Sequence, residues 1–280
     1  CAALWVLACG TTNTESGGSA PDVWVGQHVE TTRFGAADNS EIVKMTADGA
    51  AAVLVASKGR KITRMSVTSE GLVRQREAWL FSEDTSESEL THLDIHPSQP
   101  YALITRTLPV HADGELVDCR GSVVLVDISD SSEFGVVLGE TPVGPMPDAV
   151  DISPDGRWAV TADEVDYNDG KCPLPNIQPS ITILELTGSE PLELNVKAAV
   201  KFSTAHDGPR REPEQVAFAS DNDTVAVTLQ DTHELLTLRV SDVIASFAES
   251  GRVDGHVLNI TRLPNRRTGA EPWPDGVAAF

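Results

Sequence analysis

The chain has 280 residues, of which 40% are hydrophobic and 22% are charged, a composition typical of a folded globular protein and not of a disordered one. Its 21 Lys and Arg residues against 42 Asp and Glu residues give a formal net charge of −21 at pH 7. Such a charge disfavours sequence-independent binding to DNA or RNA and electrostatic adsorption to anionic lipid, since both need a basic surface. We therefore expect no nucleic-acid partner.

The first residues of the chain have the features of an export signal. Residues 2–8 read AALWVLA, an apolar run that is far shorter than the roughly 20 residues of a membrane-spanning helix but suits the end of a signal peptide. They lead into Cys9, and this junction resembles the lipobox of bacterial lipoproteins, in which the Cys is acylated. The alternative is an accidental Cys in a plain signal peptide.

The Thr, Ser and Gly residues that follow Cys9 suit a flexible tether. We therefore predict a signal-peptide remnant at 1–9, a tether at 10–22 and a folded domain at 23–280. On this interpretation the protein is extracytoplasmic, a lipoprotein attached to a bacterial membrane through its lipid alone, in the periplasm or at the cell surface. The lack of an initial Met predicts that part of the leader precedes residue 1.

A repeated pattern occupies most of the remaining chain. Four similar segments lie at residues 41–57, 90–106, 147–163 and 213–229, and a fifth begins at 274–280. Their equivalent hydrophobic residues, spaced 50, 57, 66 and 61 positions apart, are Val43, Leu93, Val150, Val216 and Val277. Self-similarity at such a period is the signature of a repeat architecture.

Each repeat contains four short runs rich in Val, Ile and Thr, separated by turn residues such as the SPDG of residues 153–156. Runs of this kind are typical of strands. Four strands per repeat predict an all-β fold, a β-propeller of four-stranded blades, because a two-sheet sandwich has fewer strands and no such period. Four blades and the start of a fifth predict the N-terminal part of a longer propeller, of about seven blades.

One segment has helical periodicity instead. Residues 241–250 read SDVIASFAES, and Ser241 is the residue type that caps a helix N-terminus. The helix would carry Val243, Ile244 and Phe247 on one face.

Several of these segments resemble the choice-of-anchor I domain proteins. The similar stretches are PDAVDISPDGRWAVTADEVDYNDG at 147–170, SITILEL at 180–186, EPEQVAFASDNDTVAVTLQDTHELLTL at 212–238 and EPWPDGVAAF at 271–280. The resemblance implies an extracytoplasmic propeller that is anchored by varied means and has no established catalytic activity of its own. The chain departs from the family at Asp163-Glu164-Val165, where an Asn-Glu-Gly run is usual, so a function of that loop does not carry over.

The loop after residue 162 is a candidate calcium site. Its oxygen-bearing side chains are Asp163, Glu164, Asp166, Asn168 and Asp169. Clustered hard oxygen ligands suit Ca²⁺, which is therefore a candidate cofactor. The alternative is a solvated acidic turn in an acidic protein.

A second candidate metal site lies on a predicted strand. His92, Asp94 and His96 alternate along the chain, which would place all three on one face of the strand. Two imidazoles and a carboxylate could hold Zn²⁺ or Fe²⁺. Because Asp94 aligns with Asp151 of the next repeat, the alternative is a structural hydrogen-bond acceptor.

The pair Cys119 and Cys172 is expected to form a disulfide, since both residues belong to an exported domain. We place them in corresponding loops between the second and third strands of adjacent repeats. A bridge enclosing the 52 intervening residues would stabilise the fold by about 4 kcal/mol. Two unpaired thiols are the alternative.

A local basic cluster of Arg252, Arg262, Arg266 and Arg267 could receive a phosphate or an acidic partner, or could simply be solvated. The sequence contains no GxSxG, GxxxxGK[ST], HExxH or GxGxxG motif, so serine-hydrolase, P-loop and zincin chemistry lack their usual support.

We predict a binding scaffold whose unknown ligand or protein partner lies at one rim of the propeller, on long loops around 107–120 and 164–179. The alternatives are a divalent-metal-dependent hydrolase of the phosphoesterase or lactonase type, and a module that positions a catalytic domain beyond residue 280.

Overall fold

A computed structural model describes residues 40–69, 71–82, 87–165, 172–188, 192–203 and 211–263. The predicted signal remnant, Cys9, the tether and the fifth repeat lie outside these residues. Within them, sixteen strands form four antiparallel four-stranded sheets, and in each sheet the spatial order of the strands follows the sequence.

We name the four sheets blades 1 to 4. Blade 1 consists of β1 (Ser40–Met45), β2 (Ala51–Ala56), β3 (Lys61–Thr68) and β4 (Gly71–Trp79). Blade 2 consists of β5 (Glu89–Ile95), β6 (Tyr101–Ala112), β7 (Glu115–Asp127) and β8 (Val137–Val143). Blade 3 consists of β9 (Pro147–Ile152), β10 (Trp158–Asp163), β11 (Ser180–Thr187) and β12 (Glu193–Lys201). Blade 4 consists of β13 (Pro213–Phe218), β14 (Thr224–Leu229), β15 (Glu234–Arg239) and β16 (Leu258–Arg262).

The blades are arranged as in a β-propeller. The first strands of successive blades contact one another, β1 with β5, β5 with β9, and β9 with β13, so they form the inner edge of the arc. Each blade corresponds to one sequence repeat. The predicted all-β propeller of four-stranded blades is therefore confirmed.

The hydrophobic core lies between the blades, and it uses both faces of the sheets. In β6, Ala102 and Ile104 pack toward blade 1, whereas Leu103 packs toward blade 3. Successive residues of a strand point to opposite faces, so a sheet covered on both sides reads as a continuous apolar run. This is why a run such as VVLV at residues 123–126 of β7 is buried along its whole length.

The turns between first and second strands also join the blades. Gly156 has a φ of +76°, and a Cβ built on it would lie 2.5 Å from Nε2 of His96 in blade 2. The carbonyl oxygen of Gly156 lies 3.2 Å from the same Nε2 and accepts its hydrogen. Glycine is required in this turn both for its backbone conformation and for the approach of the neighbouring blade.

The predicted helix is present as α1 (Val240–Ser250), and Val243, Ile244 and Phe247 pack against the core shared by blades 3 and 4. The predicted capping role of Ser241 is wrong, because Arg239 occupies the N-cap position and makes no side-chain cap. Asp223, from the turn between β13 and β14, accepts the Ser241 N–H at 2.8 Å instead.

The predicted loop at 107–120 is also wrong. This stretch continues β6 and β7 as a long hairpin whose turn contains Asp113 and Gly114, with φ of 53° and 84°. Two successive positive φ values are those of a tight type I′ turn, whose twist matches that of the flanking strands.

Candidate binding cleft

A cleft of about 560 Å³ opens on the side of the arc where the second strands end and the third strands begin. It extends from the β2–β3 turn of blade 1, across the long hairpin of blade 2, to the start of blade 3. Its volume is in the range of about 300–1,000 Å³ that is usual for small-molecule sites.

A disulfide fixes one wall of this cleft. Cys119 and Cys172 are bonded, their Cα atoms are 6.1 Å apart, and both side chains are buried. Cys119 is part of β7 and not of a loop, so the bridge joins the blade 2 hairpin to the β10–β11 connection of blade 3. Val165, Leu116 and Met146 pack around it.

The blade 1 end of the cleft carries Lys58 and Arg60, both on the β2–β3 turn. Arg60 has a φ of 47°, and its Nη1 donates to the buried hydroxyl of Ser88 at 3.2 Å. Glu87 and Glu89 flank Ser88 and also line the cleft. Charges of both signs therefore meet at this end.

The blade 3 end of the cleft is acidic. Carboxylate oxygens of Asp148, Glu164 and Glu214 lie within 4.8 Å of one another, a spacing that could hold a metal ion. Asp148 and Glu214 are the second residues of the equivalent strands β9 and β13. Neither residue is among the predicted ligands, although aligning the repeats shows acidic residues at this position in four of five copies, including Glu41 and Asp275.

The two neighbouring acids of the predicted calcium loop face different surroundings. Glu164 lines the cleft, whereas Asp163 is fully buried inside blade 3. Oδ2 of Asp163 accepts hydrogen bonds from the hydroxyls of Ser180 (2.9 Å) and Thr182 (2.6 Å) and, at 3.2 Å, from the N–H of Gly144. Burial raises the pKa of Asp163 to about 6, against the lowering effect of these donors.

The contacts of Asp163 are those of a structural side chain. The remaining predicted ligands, Asp166, Asn168 and Asp169, lie outside the described residues, so calcium binding by this loop stays a prediction. Among the residues that the structure describes, the carboxylates that do come together with Glu164 are Asp148 and Glu214.

The predicted metal ligands on β5 make separate contacts. A bulge between Leu90 and Leu93 interrupts the alternation of the strand. His92 Nδ1 accepts the N–H of Val150 at 3.5 Å, and burial together with the charge of Lys44 lowers the pKa of His92 to about 3. His92 and Val150 therefore meet at the seam between blades 2 and 3.

The His96 side chain forms hydrogen bonds within its own turn and with the next blade. Its Nδ1 accepts the N–H groups of Ser98 and Gln99 at 3.2 and 3.1 Å, and its Nε2 donates to Gly156. Burial lowers the pKa of His96. Among the groups of potential metal ligands found within the described residues, none contains His92, Asp94 or His96.

Asp94 and Asp151 play the same role in successive blades. Asp94 accepts the N–H of Ile152 in blade 3 at 2.8 Å, and Asp151 accepts the N–H of Phe218 in blade 4 at 2.7 Å. Lys44 of blade 1 lies 3.3 Å from Asp94. Burial, and secondly the charge of Asp94, raise the pKa of Asp151 to about 7. These contacts are those of the structural acceptor that the repeat alignment offered as the alternative to a metal site.

The predicted basic cluster is only partly described. Arg252 and Arg262 are exposed near the end of blade 4, while Arg266 and Arg267 lie outside the described residues.

No helix among the residues that the structure describes has the length and apolar character needed to cross a membrane.

Comparison with known proteins identifies the family. Residues 41–242 match the model of the choice-of-anchor I domain. The chain belongs to the choice-of-anchor I domain family. Membership in this family confirms the resemblance seen in the repeats and indicates a cell-surface protein. None of the curated proteins matches this choice-of-anchor I domain.

Several solved structures are similar to this chain at low sequence identity. A protein from Lactobacillus plantarum is 14% identical over 70% of this chain and 52% of its own, with a TM-score of 0.50. The periplasmic gluconolactonase PpgL of Pseudomonas aeruginosa is 12% identical over 70% and 52%, with a TM-score of 0.48. The β-propeller domain of Myceliophteria thermophila Cps50 (Swd1) is 10% identical over 80% and 74%, with a TM-score of 0.42. The choice-of-anchor I domain chain spans about half the length of the first two proteins.

Proposed function

We propose that this choice-of-anchor I domain is an exported, lipid-anchored propeller that binds a ligand in its rim cleft and acts as an interaction scaffold at the cell envelope. The observation that carries the proposal is the 560 Å³ cleft. One of its walls is a hairpin held in place by a buried disulfide. A wall fixed in this way needs little ordering when a ligand binds, which favours affinity.

The binding role can be tested on the whole chain with a library of small soluble compounds. We expect compounds that raise the melting temperature to perturb the NMR signals of residues lining the cleft. His111→Trp should abolish this binding, because His111 is exposed and lines the cleft. Val117→Trp is the matched control, since Val117 is 51% exposed on the same hairpin but does not line the cleft. Compounds that bind equally well to both variants would contradict the proposal.

A metal-dependent hydrolase is the second candidate function, favoured by the carboxylates of Asp148, Glu164 and Glu214. The same protein is assayed with phosphomonoesters, phytate and lactones, with and without calcium or manganese. Turnover that requires the ion and is lost in Glu164→Gln would favour a metal-dependent hydrolase over a binding scaffold.

The lipid anchor is tested separately. Cys9→Ala should move the protein from the membrane fraction to the soluble exported fraction and abolish its labelling by a fatty-acid analogue. Retention of the variant in the membrane fraction would contradict the proposed lipidation of Cys9.

A further inference from the structure

One face of blade 1 is buried although no described blade lies against it. In β2 and β3, Ala52 pairs with Met65 and Leu54 pairs with Thr63, which places all four side chains on the same face of the sheet. The exposed fractions of Ala52, Leu54, Thr63 and Met65 are 0%, 8%, 5% and 1%. This face is therefore as well buried as the core between the blades.

The described residues do not supply the cover of this face. Val53 and Val55 of β2 point the other way, into the hydrophobic cluster shared with blade 2. The clusters formed by the described residues include none of Ala52, Leu54 and Met65. The substantial contacts of blade 1 with other described elements are all with blade 2. The burial of Leu54 and Met65 therefore requires a cover from outside the described residues.

Two long segments lie outside the described residues, one at each end of the chain, at 1–39 and 264–280. The second belongs by its repeat to the far side of blade 4, because residues 274–280 correspond to a first strand and each described first strand contacts that of the preceding blade. The first segment leads directly into β1 of blade 1. Its part after the predicted tether, 23–39, can span roughly 55 Å when extended, which is ample for a sheet face about 15 Å wide.

Residues 23–39 also carry side chains that suit an apolar face. Val23, Trp24 and Val25 form an apolar run near the start of this segment. A Trp side chain buries about 150–250 Å² of surface, enough to cover several neighbouring side chains. Contact between an aromatic ring and a Met sulfur, such as that of Met65, is favourable.

We infer that residues 23–39 pack across the face of blade 1 that points away from blade 2, with Trp24 against Leu54 and Met65. The tether would then join the domain at blade 1, and the lipid proposed at Cys9 would hold the propeller to the membrane by that blade. The packing itself depends neither on the lipid nor on a ligand in the cleft. It can therefore fail while the proposed function stands, and the reverse is also true.

Oxidation of Met side chains by hydrogen peroxide, followed by mass spectrometry of the whole chain after digestion, measures the cover. In the parent protein, Met65 should oxidise at least about tenfold more slowly than Met45, since their exposed fractions are 1% and 38%. Trp24→Ser should bring the oxidation rate of Met65 close to that of Met45, because loss of the indole opens the face. Trp273→Ser, in the other long segment, is the matched control and should leave Met65 protected.

A second measurement needs no substitution, so it remains valid if Trp24→Ser loosens the whole fold. Isotope labelling of the three Met methyl groups of the chain allows NMR to detect their neighbours. We expect a nuclear Overhauser contact between the Met65 methyl group and the Trp24 indole of the parent. Absence of this contact would overturn the inference, as would continued protection of Met65 in Trp24→Ser. A contact of Met65 with Trp273 would also overturn it and assign the face to the other segment.

Discussion

The acidic side chains of the inner strands have unequal roles. Asp151 accepts the Phe218 N–H and lies close to Asp94, and its pKa is raised to about 7 from the ordinary value of 3.8. The folded state therefore holds a proton that the unfolded state releases between about pH 4 and pH 7. It follows that this carboxyl makes the protein less stable as pH rises through that range.

Asp151→Asn tests this assignment, because an Asn oxygen can still accept the Phe218 N–H but cannot ionise. We expect the free energy of unfolding of the variant to rise relative to the parent between pH 4 and pH 8, by at most about 4 kcal/mol. Because the effect is the difference between variant and parent, the contributions of His92 and His96 to the pH dependence of unfolding cancel. Their lowered pKa values act in the opposite direction, removing stability as pH falls below about 6.5.

Urea unfolding at several pH values measures the effect of Asp151→Asn, and Asp242→Asn on the exposed face of α1 is the control. A difference between variant and parent that is independent of pH would show that Asp151 is ionised throughout.

The turn that contains Gly156 contacts the preceding blade, whereas the equivalent turn that contains Gly49 does not. Gly49 and Gly156 occupy equivalent turns and have similar φ values, +67° and +76°. A Cβ on Gly156 would meet His96, whereas a Cβ on Gly49 would have nothing within 4 Å.

Gly49→Ala should therefore cost about 1 kcal/mol for the backbone conformation alone, and Gly156→Ala about 1–3 kcal/mol more. Chemical denaturation of the two variants measures the difference. Equal losses would mean that the approach of His96 to the turn is unimportant for stability.

Among the elements, strands could be predicted most directly in blades 2 and 3, because both faces of these blades are covered, which leaves continuous apolar runs in the sequence. The extended hairpin could not be predicted, because Pro109, Asp113 and Gly114 are residues typical of loops. That part of β6 and β7 extends beyond the core, so burial imposes no apolar pattern on it. The helix could be located by its periodicity, but its cap could not, since Asp223 lies 18 residues before Ser241.

Helix α1 provides a test at this scale. Asp223 accepts the N–H and the hydroxyl of Ser241 at 2.8 and 2.9 Å and also pairs with Arg239 at 2.7 Å. Asp223→Ala should reduce the free energy of unfolding by about 1–2 kcal/mol, since a helix N–H and a guanidinium lose their acceptor. Ser241→Ala removes only the hydroxyl and should cost less. If Ser241→Ala is the more damaging change, then the contacts of Asp223 with the Ser241 N–H and with Arg239 contribute little to stability.

For the molecule as a whole, the repeat period alone was sufficient to predict the propeller, but not which parts of different blades meet. Lys58 and Glu164 are 106 positions apart and line the same cleft. No local pattern indicates that proximity, because it depends on the curvature of the arc and on the path of the hairpin. Asp148 and Glu214, by contrast, could have been found by comparing equivalent positions of the repeats, since the inner strands begin at the same level in each blade.

The disulfide connects this large-scale geometry to stability, because it joins blade 2 to blade 3 across a sequence separation of 53 residues. The Cys119→Ala/Cys172→Ala double variant should lose about 4 kcal/mol by the loop-entropy argument, because the unfolded chain is no longer cross-linked. For a domain of this size the loss corresponds to a fall in melting temperature of about 10 °C.

The same variant should bind cleft ligands more weakly, since its hairpin wall is released. Treatment with a thiol reductant is the control, because it should lower the melting temperature of the parent and leave that of the double variant unchanged. A double variant at 119 and 172 that melts with the parent but has lost ligand binding would show that the bridge shapes the cleft without stabilising the fold.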